Sequence, residues 1–290
     1  MAELREATPE MFDGIYPLLA GFNPALTREQ WRLLVDYPWR APGDPMGWVL
    51  LDGASIVGFI STLYSRRTIG GRVVRFCNTA HWVVREEYRS ESLKLLMTVL
   101  RQRDCTITNL TSSAAVSALF AKLGFKVLDR NVLLSFPRPV LPSLGDDVSI
   151  TANVGEIAES LSGVDAQIQA DHAGLPVGHV MLRDGDDSCY LLFTRLHRRV
   201  LGVRLPYCHV QYASDPELLA RHRARLSWFL LRRFGAVCMA VDERLVAGRA
   251  ADFGRPRPLG EPRYYRSDSL GAASSVYRLS ICAAPSESER

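Results

Sequence analysis

The chain has 290 residues, of which 47% are hydrophobic and 23% charged, and its net charge at pH 7 is +4. These proportions are ordinary for a soluble globular protein and exclude the disordered and fibrous classes, and the length is sufficient for two domains that each bury their own core. The mild charge, with arginines spread through both halves, predicts that nucleic acid is not a partner.

Neither a membrane span nor a secretion signal is evident in the sequence. The strongly apolar runs, such as 228–231, fall well short of the roughly 20 residues that a span requires. The first six residues lack the basic start and apolar core of a cleaved signal. We therefore expect a cytoplasmic protein without a membrane partner. The six widely spaced cysteines, with no histidine at zinc-ligand spacing, favour buried thiols over a metal site.

The first half of the chain alternates between amphipathic helices and apolar strands. Thr8 before Pro9 indicates one helix start, and Thr27 ahead of Glu29 indicates a second. Runs rich in Val, Ile and aromatic residues, separated by glycine turns, indicate an antiparallel meander of three strands. The predicted elements are a strand and helix from Leu4, a helix over 27–35, strands over 48–51, 55–64 and 72–84, a helix over 93–100, a strand over 106–110, a helix over 113–123 and two strands within 127–136.

Three prolines and a Gly-Asp-Asp turn interrupt regular structure after residue 136. We place a linker at 141–147, between one domain at 1–140 and another at 148–290. The second domain is predicted to contain a helix over 154–161, strands over 189–194 and 203–212, a helix over 216–234, a strand over 236–241, a long loop over 255–274 and a last strand over 276–281. Its strand-helix-strand order over 203–241 mirrors that over 72–110, which favours a duplicated unit over a coincidence.

A tight turn connects the predicted strand over 72–84 to the following helix. It runs from Tyr88 to Lys94 (YRSESLK), and Ser90 is predicted to cap the helix. The backbone N–H groups after Ser90, together with the positive end of the helix dipole, would then face an anion. The turn therefore predicts a phosphate or pyrophosphate site.

Two segments resemble motifs of the GNAT superfamily, the acyl-CoA-dependent acyltransferases. Val84 to Arg89 (VREEYR) is similar to the approach V-x-P-E-Y followed by Arg or Gln, and Phe120 to Phe125 (FAKLGF) is similar to the closing Y-x-K-x-G-F of a second motif. The resemblance implies an α/β fold with a mixed, largely antiparallel sheet flanked by helices, followed by a second GNAT-like α/β domain. It also implies acetyl-CoA or another acyl-CoA as co-substrate.

Several positions depart from the family pattern. Ser92 stands where the first glycine of the phosphate-binding turn falls, and Lys94 stands where the second glycine or alanine falls. The lysine either turns aside so that its ammonium contacts phosphate, or narrows the pocket. Ser113 replaces the asparagine that usually contacts pantetheine, while Lys122 matches. Phe120 replaces the tyrosine that often protonates the departing thiolate, so water or another group must act as the acid.

Acyl transfer needs a base for the acceptor's proton and a donor for the oxyanion. The resemblance implies a backbone N–H near 82–84 as the donor, where the fourth strand separates from the fifth, and a base slightly earlier. Asn78 and His81 are the polar residues there, and only His81 titrates near neutral pH; a hydrogen-bonded structural histidine is the alternative. The implied cofactor-binding residues are Trp82, Val83, Val84, Arg89, Ser90, Glu91, Ser92, Leu93, Lys94, Ser113, Phe120 and Lys122.

The corresponding turn of the second half bears two carboxylates, Asp215 and Glu217, at its helix start. These charges would repel a pyrophosphate. The second domain is therefore expected to be a degenerate partner that binds no cofactor and shapes the acceptor site.

Together these features predict transfer of an acetyl or longer acyl group from acyl-CoA to an amine or hydroxyl of a small molecule or sugar. The alternative is a non-catalytic acyl-CoA sensor or assembly module on the same fold. The replaced motif glycine and tyrosine favour this alternative. The intact strand-turn-helix and the Lys-x-Gly-Phe ending favour retained cofactor binding.

Overall fold

The structure is a computed structural model that describes residues 1–69, 71–140, 147–246 and 253–268. The described residues form two compact units. Unit 1 comprises residues 1–128 and 263–268, and unit 2 comprises the described residues between 129 and 262. The predicted linker at 141–147 lies outside the described residues except for Asp147, and the predicted strand at 276–281 lies outside them entirely.

The chain contains two series of strands and helices that begin in the same order, strand, two helices, three strands and a helix, and differ after that helix. The first series is β1 Glu3–Glu6, α1 Phe12–Phe22, α2 Arg28–Arg32, β2 Gly47–Asp52, β3 Ser55–Ile69, β4 Arg72–Val84, α3 Ser92–Leu100, β5 Cys105–Asn109, α4 Ala114–Lys122 and β6 Lys126–Ser135. The second series is β7 Val148–Thr151, α5 Val154–Ser160, α6 Gly163–His172, β8 Gly178–Asp184, β9 Asp187–Val200, β10 Val203–Ala213, α7 Pro216–Arg221, α8 Arg223–Phe234, β11 Met239–Asp242 and β12 Arg255–Arg266.

The strands of the two units pair in the same pattern. In unit 1, β1 to β4 are antiparallel neighbours, β5 is parallel to β4, and the end of β12 is antiparallel to β5. In unit 2, β7 to β10 are antiparallel neighbours, β11 is parallel to β10, and β6 is antiparallel to β11. The predicted mixed, largely antiparallel sheet with flanking helices is therefore confirmed.

Helices cover both faces of the sheet in unit 1. On one face, α1 and α2 bury Phe12, Ile15 and Trp31 against β2 and β3. On the other face, α3 and α4 bury Leu96 and Phe120 against β3, β4 and β5. No helix within the described ranges is both long and apolar enough to cross a bilayer.

Two predictions for the second half were wrong in detail. The predicted helix over 216–234 is interrupted at His222, so α7 and α8 are separate helices. The segment predicted as a loop from residue 255 contains β12, whose Tyr264 lies opposite Asn109 of β5. Local sequence indicated a loop because the segment is rich in Pro and Gly. The strand that β12 pairs with, β5, is distant in the sequence, so no local pattern predicts this pairing.

A buried ionic cluster stabilises unit 2. The Arg244 guanidinium is 1% exposed and binds both Asp129 and Asp242, which are fully buried. The Asp129 carboxylate also accepts the Arg244 backbone N–H at 3.1 Å, and His209 Nε2 lies 2.9 Å from Asp242 Oδ1. Buried charges are tolerated only when they are paired, because the desolvation of an unpaired ion is too unfavourable.

We expect Arg244→Met to lower the free energy of unfolding by about 3 to 5 kcal/mol, because it leaves two carboxylates buried without their cation. Chemical denaturation measures this difference. Arg5→Gln is the matched control, since it breaks an exposed pair with Glu3 and should change stability by less than about 1 kcal/mol. Equal effects of the two substitutions would contradict a stabilising role for the cluster.

Candidate active site

The parallel pairing with β5 covers only part of β4. It begins at Arg75 and Cys105 and ends at Asn78 and Thr108, although β4 continues to Val84. Beyond Asn78, β4 remains paired with β3 as far as Val84. Because β5 ends at Asn109, β4 continues past the end of β5 while keeping β3 as its neighbour.

Four buried polar side chains lie where the two strands separate. The Asn109 amide donates to the Thr79 carbonyl and to the Thr79 hydroxyl, both at 3.0 Å. The Thr79 hydroxyl donates to the Thr108 carbonyl at 3.2 Å, and the Thr108 hydroxyl donates to Asn78 Oδ1 at 3.3 Å. All four residues are less than 8% exposed. The predicted catalytic residue Asn78 thus belongs to a cluster that holds the strand ends in place.

β4 carries a bulge just past this cluster. The register with β3 shifts between Ile60 and Thr62, so Ser61 lies opposite both Ala80 and His81. The His81 N–H donates to the Ser61 hydroxyl at 2.9 Å instead of to a strand carbonyl. A bulge of this kind redirects a side chain, and here it turns the His81 ring toward α1 and α2.

The His81 ring lies among aromatic side chains of these two helices. Its centroid is 4.8 Å from that of Trp31 and 5.6 Å from that of Phe22, both in edge-on contact. Trp31 is fixed by the capping box of α2, in which Thr27 and Gln30 exchange hydrogen bonds. His81 Nδ1 and Trp31 Nε1 are both buried without a hydrogen-bond partner. Burial lowers the pKa of His81 to about 4, so its ring is neutral at pH 7.

The residues after His81 alternate between the two faces of the sheet. Trp82 and Val84 pack on the side of α3, whereas Val83 packs on the side of α1. The indole Nε1 of Trp82 is also buried without a hydrogen-bond partner. Unsatisfied buried polar atoms are uncommon in native proteins. Three such atoms, on Trp31, His81 and Trp82, lie at the end of β4. A polar ligand or a water bound there can form the missing hydrogen bonds.

The turn before α3 differs from the predicted one. Residues Glu86–Glu91 form a 3-10 helix that runs directly into α3. Ser90 therefore lies inside a helical turn and is not the N-cap; that position belongs to Glu91, which makes no side-chain cap bond. The Ser92 N–H donates to the Arg89 carbonyl. Local hydrogen bonding of the 3-10 turn thus engages an amide that the prediction left free for phosphate.

The charged residues of this turn are arranged around the Glu91 carboxylate. It accepts the Ala2 backbone N–H at 3.0 Å and the Lys94 ammonium at 2.6 Å, and the Lys94 bond is the main reason that its pKa is lowered. Lys94 thus turns aside toward a carboxylate. The Arg89 side chain is 73% exposed, and its nearest carboxylate is that of Glu86 at 3.9 Å. Leu93 is 42% exposed.

Phe120 belongs to the hydrophobic core of unit 1. It is 1% exposed, stacks on Phe125 at 4.2 Å between centroids, and contacts Tyr264 edge-on at 5.6 Å. Ser113 stands at the N-cap position of α4 but makes no side-chain cap bond, and Lys122 is exposed in the last turn.

The sequence analysis did not single out Tyr264 as a residue near the site. Two adjacent tyrosines in a Pro-rich and Gly-rich segment were the available signal for a strand there.

The helix start of unit 2 is occupied by its own carboxylate. Asp215 is the N-cap of α7, and its Oδ1 accepts the N–H groups of Glu217 at 2.8 Å and Leu218 at 2.9 Å. The predicted helix start is confirmed. Because these first amides already bind an anion, α7 has little capacity for a second one.

The depressed pKa of His81 makes stability depend on pH. The unfolded state binds its proton near pH 6.5 and the folded state only near pH 4, so stability is lost as the pH falls from 7 through this interval. Between pH 7 and pH 4, we expect the free energy of unfolding to fall by about 3 kcal/mol more in the wild type than in His81→Phe. Chemical denaturation across this pH range measures the difference. Parallel pH profiles for the two proteins would contradict the burial of a neutral ring.

No protein-family model and no curated protein matches the sequence, whereas solved structures resemble it. A GCN5-related N-acetyltransferase from Kribbella flavida has a TM-score of 0.59 at 16% identity, covering 91% of this chain and 70% of its own. One from Anabaena variabilis also has a TM-score of 0.59, at 12% identity, covering 91% and 72%. A GCN5-related glucosamine N-acetyltransferase region of a fungal β-N-acetylglucosaminidase has 0.56 at 12%, covering 92% and 38%. The chain therefore has the fold of the GNAT superfamily.

Proposed function

We propose that the protein transfers an acetyl or longer acyl group from acyl-CoA to an amine or hydroxyl of a small molecule or sugar. The observation that carries the proposal is the separation of β4 from β5 beyond Asn78, directly before the turn into α3. The resemblance to the GNAT fold implies an oxyanion-stabilising N–H group at this separation, so the thioester carbonyl would lie there. The acceptor's nitrogen or oxygen attacks the thioester carbonyl, the C–S bond breaks, and the CoA thiolate takes up a proton.

The cofactor contacts that we propose lie along the second half of β4 and the following turn. Backbone N–H groups near 82–84 would stabilise the oxyanion, and residues 89–94 would face the pyrophosphate. Arg89 is suited to phosphate because its guanidinium is exposed and its contact with the Glu86 carboxylate is long, at 3.9 Å. Lys94 would exchange its bond with Glu91 for one with phosphate. Ser113, Phe120 and Lys122 would lie toward pantetheine.

His81 is the proposed base, acting directly or through a water. Its ring lies on the face of the sheet that α1 and α2 cover, opposite to the face covered by α3 and α4. Its Nδ1 has no hydrogen-bond partner, and its ring is neutral at pH 7 because burial lowers its pKa to about 4. A base with this pKa is weak, so an acceptor that arrives as the free amine suits the site. A sugar amine is one such acceptor, and the fungal structural neighbour is described as a glucosamine N-acetyltransferase.

Tyr264 is the proposed acid for the thiolate. Phe120, at the position of the family's tyrosine, has no hydroxyl, and the Tyr264 ring contacts it edge-on at 5.6 Å. Tyr264 also lies opposite Asn109, whose side chain binds Thr79 where β4 and β5 separate. A phenol on β12 can therefore replace the hydroxyl that α4 lacks.

We further propose that unit 2 is a degenerate GNAT-like module, because the Asp215 carboxylate already binds the first backbone N–H groups of its helix α7.

A non-catalytic acyl-CoA sensor is the second candidate. The low pKa of His81 and the core packing of Phe120 favour it, since both reduce catalytic competence. Product formation from acetyl-CoA and a panel of amines and amino sugars decides between the candidates. A protein that binds acyl-CoA and forms no product with any acceptor would be a sensor.

Arg89→Glu should weaken acetyl-CoA binding roughly a hundredfold, because a charge-assisted phosphate contact of about 1.5 to 3 kcal/mol becomes a repulsion. Isothermal titration calorimetry measures the affinity and the stoichiometry, which we expect to be one cofactor per chain. Arg101→Glu is the control, since Arg101 is an exposed residue at the other end of α3. Unchanged affinity in folded Arg89→Glu would remove this turn from the cofactor site, and two cofactors per chain would contradict the proposal for unit 2.

His81→Gln and Tyr264→Phe should each lower kcat by about a hundredfold to ten-thousandfold if they remove the base and the acid. The KM for acyl-CoA should change little, because neither side chain is assigned to cofactor binding. Adding Phe120→Tyr to Tyr264→Phe returns a hydroxyl to the same contact and should restore part of the rate. A folded Tyr264→Phe protein with wild-type kcat would show that the thiolate takes its proton from another donor.

A further inference from the structure

The hairpin of β9 and β10 ends in an unusual turn. Val200 pairs with Val203, so Leu201 and Gly202 alone form the loop. Their φ angles are 50° and 81°, and positive φ at both positions is typical of a type I′ turn. Such turns favour Asn-Gly, because the left-handed conformation is unfavourable for a residue with a large side chain. Leu201 is the one residue other than glycine with positive φ among the described residues.

The side chains at this hairpin tip pack little against the part of the chain that the structure describes. Leu201 is fully exposed, and Val200 and Val203 are 45% and 58% exposed. Within the described residues, these side chains are absent from the two hydrophobic clusters of unit 2, one around Leu191 and one around Tyr190. A strained leucine that buries nothing lowers the stability of the folded chain, and strain of this kind concentrates at functional positions.

The charges beside the tip are also unfavourable to folding. Arg199 lies directly opposite Arg204, and like charges in this cross-strand position repel each other. Both arginines are exposed, and within the described ranges neither forms an ion pair with a carboxylate. Arg195 and His197, also exposed, alternate with Arg199 along the same side of β9. The hairpin therefore presents an apolar tip next to a basic band, and no carboxylate of the described residues pairs with its two arginines, Arg199 and Arg204.

We propose that this hairpin attaches unit 2 to the surface of an anionic lipid bilayer. The three apolar side chains would enter the interface while Arg199 and Arg204 contact lipid phosphates. Leu201 lies two residues beyond Arg199, or about 7 Å along a strand, which matches the roughly 5 to 10 Å depth at which interfacial segments bury their apolar groups. A nucleic acid would neutralise the arginines but would give the aliphatic tip no apolar layer. The sequence-based expectation of no membrane partner was based on the lack of a membrane-spanning segment. Attachment to a bilayer surface needs no such segment.

Co-sedimentation of the full chain with vesicles tests the proposal. The protein should bind phosphatidylcholine vesicles that contain phosphatidylserine, should bind pure phosphatidylcholine vesicles much more weakly, and should dissociate as salt is raised. Arg199→Thr with Arg204→Thr should reduce partitioning about thirtyfold, since each basic residue near an anionic surface contributes a factor of about five. The control is Arg101→Gln with Arg103→Gln, which removes the same charge from exposed positions of unit 1 and should have a much smaller effect.

Leu201→Asn separates the role of the tip from folding. Asparagine accepts the left-handed conformation, so the melting temperature should stay the same or rise. Vesicle binding should nevertheless fall at least tenfold, because the apolar anchor is lost. Absence of binding by the wild type, or Leu201→Asn binding that equals wild type, would overturn the proposal. A wild-type dimer that Leu201→Asn converts to a monomer, without vesicle binding, would likewise overturn it and would identify a second copy of the chain as the occupant.

Discussion

The candidate site depends on the early end of the pairing between β4 and β5. Neighbouring strands normally continue side by side, because a buried backbone group without a hydrogen bond is costly. Here the Asn109 amide and the Thr79 hydroxyl supply the carbonyls of Thr79 and Thr108 with the bonds that a longer ladder would have provided. β4 can therefore leave β5 and remain on β3. The bulge that directs His81 and the turn before α3 both lie beyond the point where this pairing ends.

The two sides of this opening differ in polarity. On the side of α1 and α2, His81 and Trp31 are desolvated, and their ring nitrogens lack partners. This surrounding keeps the imidazole neutral and limits its strength as a base. On the side of α3 and α4, Phe120 and Tyr264 form an aromatic wall in which only Tyr264 bears a hydroxyl. A division of acid and base between the two faces is thus compatible with the geometry.

The carboxylates at the helix starts of the two units have different hydrogen-bond partners. In unit 2, Asp215 binds the first amides of α7 itself, which satisfies the helix end and removes its capacity for an external anion. In unit 1, the Glu91 carboxylate turns away from the α3 amides toward Ala2 and Lys94. The start of α3 therefore has no side-chain cap, and the exposed Arg89 lies in the turn beside it. This difference, more than the shared order of elements, distinguishes the two units chemically.

Local sequence was sufficient to determine most elements, because helix caps, turn glycines and hydrophobic periodicity act over a few residues. The helix after the Tyr88 turn, the strand before it and the Asp215 cap are all readable in this way. The tertiary structure alone decided features that join distant residues: the contact of Ala2 with Glu91, 89 positions apart, the pairing of Tyr264 with Asn109, and the burial that shifts the pKa of His81. Such contacts depend on which surfaces the folded chain brings together, and a single sequence carries no local signal for them.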